Sequence, residues 1–171
     1  GKTDVLIKAR TAPKLSYAVA VDAKSTQSGN VTEDQIDFDT LKDHRKLHHA
    51  DYSAIVGCSF RGERLLNRCK EHKVALIDVD TLEQLIRNQV EIPLTGEDYK
   101  KIFEQTGIVD ISVLDEARNR TERYSLLVDA IVGCLVNESK DEVTEGILTS
   151  REIYRTVRDD ERFPMANARI S

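Results

Sequence analysis

No stretch of this 171-residue chain approaches the roughly 20 consecutive apolar residues that a membrane-spanning helix needs. The longest apolar-rich run, Leu126 to Val136, is too short and holds Asp129, so no membrane partner is expected. The opening Gly1-Lys2-Thr3-Asp4 has no apolar region, and no secretory signal is expected there. Aromatic residues make up only 5% of the chain and tryptophan is absent. There is no glycine-rich phosphate loop, which argues against a nucleotide cofactor. Cysteine is sparse: Cys58, Cys69 and Cys134 are far apart, odd in number and without a CxxC spacing, so a zinc ribbon is excluded. They read as reduced, mostly buried thiols of a cytoplasmic protein, and their apolar settings argue against a cysteine nucleophile.

An excess of positive charge is missing as well. The formal net charge is −5, but it is unevenly spread. Residues 1–96 carry 14 Lys/Arg and 14 Asp/Glu, residues 97–145 carry 6 and 12, and residues 146–171 carry 5 and 4. A neutral first part can still meet DNA, but it does not hold it tightly by backbone electrostatics alone.

What is present is a hydrophobic content of 40% in an order that suggests an α/β fold. Residues 4–10 and 15–24 predict two strands of an antiparallel hairpin turned at Pro13. Thr32 and Gln35 have capping-box spacing, and predict a helix over about 32–48. Continuous apolar runs at 53–59 and 74–79 read as buried strands, each followed by a helix. This alternation predicts a mixed sheet flanked by helices. After Pro93 only helices are expected, over 97–105, 112–137 and 149–157. The expected division is a core at 1–95, a helical extension at 96–146, and the truncated start of a winged-helix module at 147–171. In that last segment Arg151, Arg155 and Arg158 fall on one helical face.

The residues that could carry chemistry are Asp4 and then Asp22-Ala23-Lys24. Residues two apart on a strand point to one face, so Asp22 and Lys24 project together, and hairpin pairing can bring Asp4 beside them. Two adjacent carboxylates form a hard-oxygen site suited to Mg²⁺. A lysine next to such a site can orient an attacking water and stabilise charge on a phosphate oxygen. The alternative for this motif is a solvated, charged strand end.

Taken together, Asp4, the intervening hairpin and Val19-Ala20-Val21-Asp22-Ala23-Lys24 resemble the PD-(D/E)xK nuclease signature, in particular the cleavage domain of FokI-type (type IIS) restriction endonucleases. Gly29 and Asn30 before a helix bearing Gln35, the stretch 55–62, and the stretch 74–86 agree in order, so the resemblance covers about residues 3–92. It implies a restriction-endonuclease-like fold and Mg²⁺-dependent cleavage of double-stranded DNA, with Mn²⁺ as a substitute metal. It further implies metal ligation by Asp4, Asp22 and the Ala23 backbone carbonyl, a catalytic role for Asp4, Asp22 and Lys24, and a homodimer formed partly through the 32–48 helix. The sequence departs from the pattern at Thr3, where proline is usual, and in having almost nothing before Asp4, where the fold usually has a helix. A fragment of a larger enzyme is therefore expected. A junction resolvase, a repair or transposon nuclease, and a non-catalytic dimerisation or DNA-binding domain are the alternatives.

Other residues carry weaker expectations. Gln35, Arg61 and Arg64 are candidate DNA contacts. His44 and His48 have a zinc-compatible spacing without an evident third ligand, and read as a solvated or dimer-facing surface. Asp78 and Asp80 read as a helix cap.

Overall fold

The structure, a computed structural model, describes residues 4–11, 14–26, 29–140 and 147–158. Strands β1 (Val5–Thr11) and β2 (Lys14–Lys24) pair antiparallel. Their register changes once. Arg10 lies opposite Leu15 but Ala9 lies opposite Tyr17, so Ser16 is an extra residue in β2, a β-bulge. Beyond the bulge Leu6 faces Ala20 and Val5 faces Val21.

Strands β3 (Tyr52–Gly57), β4 (Val74–Asp78) and β5 (Gly107–Ile108) then add in parallel, giving the order β1-β2-β3-β4-β5. The expected mixed α/β sheet flanked by helices is what forms. The interiors of β3 and β4 are almost wholly apolar because helices cover both faces of the sheet.

Helices α1 (Phe38–Leu47) and α2 (Glu63–His72) cover one face. Phe38 and Leu41 of α1 and Leu65 and Cys69 of α2 pack there with Ile55, Val74 and Leu76. Helices α3 (Val79–Glu91) and α4 (Gly96–Phe103) cover the other. Leu85 and Ile102 join Tyr17, Val19, Val21, Ala54, Ala75 and Ile77 on that side. Each fully buried Leu, Ile or Val contributes about 1.5–3 kcal/mol relative to exposure.

Three expectations change. Strands do not end at Pro93: Val109 N–H donates to the Leu76 carbonyl at 3.0 Å and β5 extends the sheet, too short at two residues to show alternation in sequence. Nor does the first compact unit end at residue 95. Leu94, Ile102, Val109, Leu114 and Ala117 complete the core on the α3/α4 face, and the unit runs to Ala117, with a second from Arg118. The expected 32–48 helix is broken. The Thr32–Gln35 box closes a single 3₁₀ turn, Glu33–Gln35, and Ile36 then takes extended backbone angles. Asp37 starts α1 afresh, accepting from Thr40 N–H at 2.9 Å and Thr40 Oγ1 at 2.7 Å.

Of the cysteines, only Cys69 is buried, where desolvation pushes its thiol up to about 11; Cys58 is exposed and Cys134 half-buried, against the expectation of mostly buried thiols. The C-terminal extension is helical: α5 (Asp115–Glu138) leads on from the first unit and α6 (Ser150–Arg158) follows. Thr149 N–H donates to Glu152 Oε2 at 2.8 Å ahead of α6, and Arg151, Arg155 and Arg158 are exposed. The rest of the expected winged-helix start, 159–171, lies outside the described residues. Among the described residues, no helix is long and apolar enough to cross a membrane.

Candidate active site

Alternation along β2 assigns its side chains to two faces. Tyr17, Val19 and Val21 go to the α3/α4 face, while Ala18, Ala20, Asp22 and Lys24 go to the α1 face. Register across the hairpin places Asp4, just ahead of Val5, opposite Asp22 and on the same face. The three residues singled out in the sequence are thus brought together at one corner of the sheet, where β2 ends beside Gly57 of β3. The carboxyl ends of parallel strands are the usual place for a site in open α/β sheets.

The contacts are close. Asp4 Oδ2 accepts from Ala23 N–H at 2.9 Å. Lys24 Nζ lies 2.7 Å from Asp22 Oδ2, both side chains being about a quarter exposed. The Ala23 amide holds the Asp4 carboxyl below the usual carboxylate range, with help from a hydrogen bond to Asp22 and from the charges of Lys24 and His44. Two carboxylates in contact repel once both are ionised, and Lys24 offsets part of that repulsion.

Gly57 is needed beside Lys24. A β-carbon there would come 2.9 Å from Val31 Cγ2 and 3.2 Å from Phe60. Val31 and Phe60 bridge the loops that follow β2 and β3, with Val31 N–H donating to Ser59 O at 2.8 Å and Ser59 Oγ to Asn30 Oδ1 at 2.7 Å.

The other candidates separate. Gln35 is exposed and its Oε1 accepts from Thr32 N–H at 3.0 Å, so it acts locally as a cap. Arg64 pairs with Glu33 at 3.2 Å while staying largely solvated, and Arg61 is exposed. Asp78 caps α3 by accepting from Thr81 N–H at 2.7 Å. His44 overturns its reading as a solvated residue: it is 9% exposed, on the buried side of α1 with Phe38 and Leu41. Among the described residues its buried Nε2 has no hydrogen-bond partner, a condition that costs about 1–3 kcal/mol. Steps of three residues from Phe38 through Leu41 to His44 were the signal for this face. A recess of about 540 Å³ lined by Lys42, Arg45, Lys46, His49 and Ala50 also went unread; the cations' spacing along one helix was its signal.

The donor set fits a hard divalent cation. Mg²⁺ is commonly held by one or two carboxylates with water completing its shell, so the two carboxylates of Asp4 and Asp22 suffice. Among the described residues no group of three or more His, Cys, Asp or Glu stands together, and the His44/His48 pair gains no third ligand. No family model, curated protein or solved structure matches this chain.

Proposed function

We propose that this chain is the cleavage portion of a Mg²⁺-dependent endonuclease that hydrolyses phosphodiester bonds of double-stranded DNA, a PD-(D/E)xK nuclease similar to the FokI-type restriction enzymes. The observation that carries the reading is the convergence of Asp4, Asp22 and Lys24 on one sheet face, with Asp4 hydrogen-bonded to Ala23 N–H and Lys24 2.7 Å from Asp22.

Asp4 and Asp22, joined by the Ala23 carbonyl, would hold the cation, with Mn²⁺ as a substitute. Bound there, the metal supplies Lewis-acid stabilisation of a phosphate oxygen and a more acidic water. Lys24 orients the attacking water and balances negative charge as it develops on the phosphate. Asp22 keeps the Lys24 ammonium at the site through their ion pair. The recess carrying Lys42, Arg45 and Lys46 supplies cations for the DNA backbone, with Arg61 and Arg64 as further phosphate contacts. Because one site cuts one strand, a homodimer is the working form for duplex cleavage. A cytoplasmic setting agrees with its free thiols.

Plasmid cleavage at high protein concentration tests the reading. With Mg²⁺ the wild-type chain converts supercoiled DNA to nicked and linear forms, EDTA stops it, and Asp22→Ala lowers the rate at least about 100-fold. Cleavage that survives EDTA and Asp22→Ala alike would overturn the site. A wild-type chain that never cuts would overturn the activity.

A further inference from the structure

Four buried side-chain nitrogens have no hydrogen-bond partner among the described residues, on His44, Arg68, His72 and Arg118. Two of them have a carboxylate close by: Arg68 Nε is 3.7 Å from Glu33, and His72 Nε2 is 3.9 Å from Glu71. His44 has no such ion pair among the described residues. It sits on the buried side of α1, over the sheet face that carries Asp4, Ala18, Ala20 and Asp22. Small side chains on β2 let α1 lie close to this face.

Asp4 has less backbone support than the residues beside it. Asp22 and Lys24 lie on a strand that pairs with β3 at those positions, whereas Asp4 stands just outside the first residue of an edge strand. The Ala23 amide reaches only one of its carboxylate oxygens. Carboxylates that bind metal are themselves usually held by hydrogen bonds, and losing such a partner typically costs 10–100-fold in metal affinity or activity.

We propose that His44 is a positioning residue of this site, its Nε2–H the donor that holds the Asp4 carboxylate in its cation-binding orientation. This rests on the nuclease reading above. Nε2 is unpaired among the described residues, so its removal should not weaken the fold, and a histidine that acts only through packing would leave Mn²⁺ binding unchanged or lose it only as the fold weakens.

Calorimetric titration of the full chain with Mn²⁺, together with thermal melts, separates the two. His44→Leu should weaken Mn²⁺ binding about 10–100-fold while Tm stays level or rises. His44→Gln, which keeps a side-chain N–H, should recover most of the affinity. Asp22→Ala should abolish binding and serves as the reference. Should His44→Leu bind Mn²⁺ like wild type while Asp22→Ala does not, the role of His44 is refuted and the nuclease site stands. A fall in Tm matched by a loss of binding that His44→Gln does not rescue also refutes it. A wild-type chain that neither binds Mn²⁺ nor cuts DNA sinks both proposals.

Discussion

On one face β2 presents Tyr17, Val19 and Val21, all buried among the apolar side chains of α3 and α4. On the other it presents Ala18 and Ala20, then Asp22 and Lys24. The backbone is shared and the side chains alternate, yet one face carries bulk and the other keeps bulk away. The first makes the sheet stable. The second gives α1 a close seat and leaves a charged corner at the end of the strand. One element can serve both ends because neighbouring residues never face the same way.

The sharpest way to break this contrast is to damage each face separately. Ile102→Ala, on the stability face, should cost about 2–5 kcal/mol in urea unfolding, a large share of the roughly 5–15 kcal/mol available to a domain. Cleavage by the molecules that stay folded should not change. Lys24→Ala should do the reverse, lowering cleavage by about two orders of magnitude while the unfolding midpoint stays in place. If both substitutions moved both quantities, the division of labour between the faces would be wrong.

A smaller effect should come from filling the seat of α1. Ala20 is fully buried, and Ala20→Val should destabilise by about 1–3 kcal/mol through overpacking. It should also reduce cleavage by displacing α1, which an equal destabilisation on the far face would not do. The smallest effect concerns pH. Tyr17 donates to the Gly96 carbonyl at 2.6 Å, and burial first, then the charges of Glu97 and Tyr52, push its hydroxyl up to about 12. A pKa raised on folding means that stability is complete below the ordinary value near 10 and declines as pH rises through about 12. Urea midpoints measured across that window should fall in the wild type and fall less in Tyr17→Phe.

Much of this was legible in the sequence, for identifiable reasons. The hairpin, β3 and β4 announce themselves as alternating or continuous apolar runs. Asp22 and Lys24 share a face by spacing alone, and a hairpin turned near Pro13 supplies Asp4. Strand β5 was hidden because two residues, Gly107 and Ile108, carry no period. The break before α1 was hidden because two capping signals follow each other, Thr32 to Gln35 and Asp37 to Thr40, and the first ends after one turn. His44 was misread for a related reason: Asp39, Lys42, Asp43 and Lys46 make α1 polar on average, which masks its narrow buried side.

The extra residue at Ser16 has a consequence of parity. Between the hairpin turn and the site, β1 and β2 pair in two registers that differ by one, Arg10 with Leu15 and then Ala9 with Tyr17. In the first register, carried through unchanged, Asp4 would fall opposite Val21, and its carboxylate would be aimed at the apolar face. The inserted residue shifts the count by one and turns the whole upstream strand over. A single amino acid, six positions from Asp22, therefore decides whether the two acids meet or lie on opposite sides of the sheet.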